Sequence, residues 1–159
     1  MVHSDVIEYK KKLTEKLISI EGIFTYIDNS EITKPEQMIN KNIFPYTKNP
    51  TPNMTVKNYI WFDYNSITSS MNASFKNCTI NIGIVCHEDT IETDSGNRHD
   101  VLGGIITDGL NWSKFLGFEL ELVSDNESIQ DNQYHIRTLQ FKNRTPNSLY
   151  NKVGAALDE

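Results

Sequence analysis

The sequence predicts an α+β domain: a largely antiparallel four-stranded sheet with two main helices packed on one face. Three observations carry this. Val6, Ile7, Leu13, Leu17 and Ile20 recur at helical spacing near the start. Residues 78–87 alternate strictly, with Cys78, Ile80, Ile82, Ile84 and Cys86 on one face and Thr79, Asn81, Gly83, Val85 and His87 on the other. Val101, Leu102, Ile105, Ile106, Gly109 and Leu110 then form a second helical stripe, followed by two more alternating segments.

The first helix is expected over 5–19, capped by Ser4, with Asp5 and Glu8 in the first turn where the helix dipole favours negative charge. Gly22 ends it, and the β-prone run 23–27 predicts a small strand or an extended connection. Residues 33–42 read as a short helical piece, because Pro35 is tolerated in a first turn. The segment 42–53, with Pro45, Pro50 and Pro52, reads as a long loop.

Val56, Tyr59, Ile60, Trp61 and Phe62 mark a buried strand over 55–63, and 65–77 is a polar connection to the strand 78–87. A helix over 97–112 follows. Gly103 and Gly104 each cost a helix interior roughly 1 kcal/mol, which points to something packed closely against them. Residues 118–123 and 133–142 form a hairpin across a polar loop at 124–132, with His135 and Arg137 opposite Glu119 and Glu121. The domain is thus expected over 1–142, with 143–159 as an arm or frayed tail.

A chain of 159 residues suits one domain with a real core. Its net charge of -6 argues against a duplex-binding protein, and the densest basic run, Lys10–Lys12, falls on the wet side of the first helix. The start shows no basic segment leading into an apolar one, and no apolar run is long enough to cross a bilayer, so no membrane association is expected. On one strand Cys78 and Cys86 lie about 26 Å apart at roughly 3.3 Å per residue. A disulfide needs Cα atoms within about 7 Å, so the two are expected to be unpaired, as in a reducing cytoplasm.

The stretch "CHEDTIETDSGNRHDVLGG", 86–104, concentrates the polar chemistry. His87, Glu88, Asp89, His99 and Asp100 could supply a metal or hydrolytic site if a strand-end and a helix-start histidine met across the turn. Yet almost every polar residue here already has a structural role. Thr93, Asp94 or Ser95 can cap the helix, Gly96 turns into it, and Asp100 meets its dipole. The architectural reading is preferred, with no cofactor or metal and no enzyme activity. No His-Glu-x-x-His helix, phosphate loop or nucleophile elbow is present. Trp61 and Trp112 read as core or interface anchors, and His3 and His135 as surface residues.

In order of elements, "NYIWFDYNS", "CTINIGIVCHEDTIETDSGNRHDVLGGIITDGLNW" and "GFELELV…QYHIRTLQFK" resemble the small neck and tail-completion proteins of long-tailed bacteriophages. The likeness is strongest to the tail terminators and runs from Met54 to Lys142. It implies a structural virion protein assembled in the host cytoplasm. Six copies would close a ring on the tail tube protein, stop its growth and present a surface to the head-side connector. DNA would pass through the channel without sequence-specific binding. It also implies that His87, Glu88, Asp89, Arg98, His99 and Asp100 lie near a subunit contact, with Arg98 as a charged anchor. Two competing functions are a small metal-dependent hydrolase using the 87–100 cluster and a monomeric adaptor domain that binds a host protein.

Overall fold

The computed structural model describes residues 5–52, 54–68, 75–116 and 119–146. The expected cap Ser4, His3, Phe118 and the apolar patch 153–157 lie outside them. Helix α1 (Asp5–Ser19) has the expected bounds but a different inner face. Asp5, Tyr9, Leu13 and Leu17, one every four residues, face the sheet: Asp5 binds the Lys76 ammonium at 2.8 Å and Tyr9 packs on Tyr64 with ring centroids 5.4 Å apart. Val6 and Ile7, expected in the buried stripe, are rotated away from that line and exposed.

Residues 23–27 are not extended. Gly22 takes φ +97°, re-aims the chain and starts the short helix α2 (Ile23–Ile27), whose Ile23 and Ile27 are fully buried. A 3-10 turn, Pro35–Met38, supplies the expected helical piece, held by the Gln37 side-chain Oε1 accepting from the Thr33 and Lys34 backbone amides. The proline-rich segment contains a two-residue strand, β1 (Ile43–Phe44), parallel to β2 (Asn58–Thr68). Strand β3 (Phe75–His87) follows, then a miniature hairpin of β4 (Glu92–Thr93) and β5 (Gly96–Asn97). Helix α3 (Arg98–Leu110) leads into β6 (Glu121–Gln130) and β7 (Tyr134–Pro146).

The α+β class is as expected, but the sheet has five strands in the order β1-β2-β3-β7-β6, and it is mixed because β1 is parallel. The described residues contain three α-helices rather than two. The four long strands pair antiparallel with one another. They are also longer than expected. Asn65–Thr68 and Phe75–Asn77, read as connection, pair as strand, and so does most of the supposed loop 124–132. Its turn shrinks to three residues, Asp131–Gln133, of which Asp131 and Asn132 lie in the left-handed region at φ 54° and 55°. The hairpin register therefore shifts: Arg137 lies opposite Glu127 and His135 opposite Ile129, not opposite Glu121 and Glu119.

The helices cover one face of the sheet, burying Ile60, Phe62, Ile80, Ile82, Ile84, Leu139 and Phe141 against Leu13, Leu17, Leu102, Ile106 and Leu110. The other face is not left to solvent: Val85 is buried with Phe44, Tyr59 and Tyr134 in a second, smaller core. Trp61 lies flat enough over Gly83 that a Cβ there would sit 2.1 Å from the indole, so the glycine makes room for this anchor. Trp112, by contrast, is 61% exposed. Cys78 and Cys86 are both buried and unpaired.

The glycine pair in α3 divides. A Cβ on Gly103 would lie 2.6 Å from Cδ of Arg137, whose stem crosses the helix there, whereas nothing lies within 4 Å of one on Gly104. Gly103→Ala should therefore destabilise the fold by about 1–2 kcal/mol through overpacking. Gly104→Ala should stabilise it by about 0.5–1 kcal/mol through helix propensity. Urea midpoints of the two variants, read against the parent, check the opposite signs.

Candidate functional site

The bend from β3 into α3 is built by local hydrogen bonding. The His87 Nδ1 accepts from the Asp89 amide at 3.0 Å and so shapes the 3-10 turn Glu88–Thr90. The Glu88 amide donates to the Gln133 carbonyl at 2.7 Å, and the Thr90 hydroxyl donates to Asn58 Oδ1 at 3.1 Å. Thr93 does not cap α3. Its hydroxyl donates to the Gly96 carbonyl at 2.6 Å and accepts from the Ser95 amide, closing the β4–β5 turn, while Gly96 takes φ +124°. Asn97 stands at the N-cap without a side-chain bond.

Arg98 is the clamp of this bend. Its guanidinium donates to the Thr90 carbonyl at 2.7 Å and to the Tyr26 carbonyl at 2.6 Å, and reaches Asp28 at 3.4 Å. It ties α2, the 3-10 turn and α3 together, and its side chain is 9% exposed. Its fork is thus engaged within the chain.

His87 and His99 do not meet. Both end up at the ends of elements, but His87 falls on the small-core face of β3, where its ring packs edge-on against Tyr134 at 5.0 Å. His99 lies in the first turn of α3, over the helix face of the sheet. It is fully buried, its Nε2 lies 2.7 Å from Glu127 Oε1 and 3.3 Å from Asp100 Oδ1, and its ring is 5.5 Å from that of His135. Next to it Arg137 binds Asp100 at 2.7 Å and also Asp125. Burial alone would favour loss of the Arg137 charge, but the hydrogen bonds to Asp125 and Asp100 outweigh it and raise the pKa.

The structure thus takes His99 and Asp100 from the expected stretch and joins them to Asp125, Glu127, His135 and Arg137 of the β6–β7 hairpin. His87, Glu88 and Asp89 stay apart, with Asp89 exposed and 3.4 Å from the Lys57 ammonium. His135, expected at the surface, is half-buried. Sequence reasoning missed Glu127 because it lay in a supposed loop. The signal that finds it is Asp131-Asn132, two residues that tolerate the left-handed region; with Gln133 they make a three-residue turn that pairs Gln130 with Tyr134 and sets Glu127 opposite Arg137.

His99, Glu127 and His135 form the group of potential metal ligands among the described residues, with one ligand atom from each lying within 4.8 Å of the others. Cys86 offers no nucleophile nearby, since burial pushes its thiol up to about 12. Two clefts beside the segment 28–31, of about 180 and 510 Å³, are lined by neither histidine nor cysteine.

A phage-derived family of prophage proteins accounts for residues 6–143, which makes the chain a phage-related protein. That family is YomW, and the chain belongs to it. No curated protein matches the chain significantly.

Arg98→Met should lower unfolding free energy by about 2–3 kcal/mol, because two backbone carbonyls lose a charged donor. Arg98→Lys should recover only part of this, since an ammonium cannot span both carbonyls as the planar fork does. Denaturant unfolding of the two variants measures it.

Proposed function

We propose that the protein is a structural virion component, a tail terminator or neck protein. In this reading six copies close a ring on the end of the tail tube and join it to the head connector. The observation that carries the reading, beside membership in a phage family, is the outer strand β6. Ten residues of it form one edge of the sheet, mostly exposed, while β1 at the opposite edge has two. A ring needs a patch on one copy that meets a different patch on the next, and an open strand edge is a ready template for such contact.

Val123 and Ile129 are exposed on β6, as are Val6 and Ile7 on α1, so apolar area is available on both. Of the bend residues, Glu88, Asp89 and Asp100 carry exposed carboxylates that can meet a neighbour, while Arg98 and His99 are buried. The net charge of -6 suits a channel that lets DNA slide without sticking. Among the described residues no helix is long and apolar enough to cross a membrane. Assembly would take place in the host cytoplasm, as the resemblance implies.

Incubated with purified tail tubes, the protein should cap one end as a ring visible by electron microscopy and halt further tube growth. The double substitution Val123→Glu with Ile129→Glu should weaken capping by roughly tenfold or more, as for loss of central apolar contacts, with little change in unfolding midpoint. A protein that stays monomeric and leaves tube ends bare and growing overturns the proposal.

A further inference from the structure

We propose that His99, Glu127 and His135 bind one zinc-class divalent cation that pins the first turn of α3 to the β6–β7 hairpin. This goes beyond the ring reading and does not rest on it. The ligand set is two imidazoles and a carboxylate, the nitrogen-and-oxygen combination that zinc and its first-row neighbours take in preference to magnesium or calcium.

The geometry is nearly closed. Zinc at about 2.1 Å from each donor holds tetrahedral ligands roughly 3.4 Å apart. The donor atoms here already lie within 4.8 Å of one another, and His99 Nε2 and Glu127 Oε1 are at 2.7 Å. The remaining adjustment falls to Glu127, whose side chain is 53% exposed on an edge strand and can shift into solvent space. Its exposure also leaves a fourth position open to water.

A further observation points the same way. Asp100 and Asp125 share one guanidinium, Arg137, and Glu127 adds a third carboxylate at His99, so with neutral imidazoles the cluster holds an excess of negative charge that a dication would cancel. A metal-bound imidazole carries its proton on the nitrogen remote from the metal, so with Nε2 on the cation the proton sits on Nδ1. The hydrogen bond from Nε2 to Glu127 is then replaced by two metal bonds, and any proton held between them leaves to solvent.

The experiment is calorimetric titration of the full, metal-stripped chain with Zn²⁺, alongside thermal melts. One equivalent should bind with micromolar affinity or better and raise the melting midpoint, because the cation binds only the folded chain. His135→Ala and Glu127→Gln, both at accessible positions, should each weaken binding by roughly tenfold or more, and together remove the thermal shift, while Asp89→Asn leaves both unchanged. Absence of saturable zinc binding by the folded parent overturns the site. So does undiminished affinity in the double variant, or an equal response to Mg²⁺. Tail-tube capping is not read in this experiment, so its outcome leaves the ring proposal separately decidable.

Discussion

The structure depends on β3 having a hydrogen-bonded neighbour along both edges for nearly its whole length. β2 pairs with it from Lys76 to Cys86, and β7 from Phe75 to His87. A strand so placed cannot present its backbone to water, and each of its faces must be covered or tolerate exposure. On the helix face the run Cys78, Ile80, Ile82, Ile84, Cys86 accepts α1, α2 and α3. On the other face the requirement changes along the strand. Asn77, Thr79 and Asn81 meet solvent or polar neighbours, and then Gly83 and Val85 are sealed by Trp61, Tyr59 and Tyr134. The change of regime at Gly83 lets a sheet with helices on one side carry a second core on the other.

Alternation was legible where one face is wet and the other dry, and the central strand and both long helices follow from it. It fails where both faces are wet. Ser124, Asp125, Asn126, Glu127 and Ser128 form a genuine strand, but as an edge strand they need no apolar face, so the sequence there looks like loop. Propensity fails in the opposite sense over 23–27. The β-branched Ile23 and Ile27 are helical because a four-residue spacing places both in the core once Gly22 has turned the chain. Residue polarity misleads in a third way: Asn42 and Asn58 are both buried at 1%. The Asn42 side-chain amide donates to the Asn58 carbonyl and the Asn58 side-chain amide to the Ile27 carbonyl, tying α2 to the end of the short β1–β2 ladder.

The same parity rule explains why the candidate site differs from the one the sequence suggests. His87 and His99 are neighbours in a polar run, but an odd-numbered β3 residue faces the small core, while α3 lies over the other face. No rearrangement of the turn brings the two rings together without passing one through the sheet. His135, also odd-numbered but on β7, points toward the helices, because the antiparallel register sets it opposite Cys86. The pairing of chemistry is thus decided by register and face, quantities that linear proximity does not encode.

An edge strand that is long and open is a hazard unless something discourages indiscriminate pairing, and here charge does so. Asp125 and Glu127 project from β6 toward the first turn of α3, where Arg137 and His99 hold them, so the edge carries acid along its inner face rather than a smooth apolar strip. An acidic edge repels its own copy when two chains meet in free solution, and the repulsion weakens when a partner supplies compensating groups or fixes the approach angle. On the ring reading this bias has a consequence: copies remain separate until a tube end presents them side by side, and closure then follows from geometry imposed by the tube. The Arg98 clamp fits this logic, because a surface that must match a template gains nothing from a mobile bend. Its three elements are locked by a buried fork before any neighbour arrives.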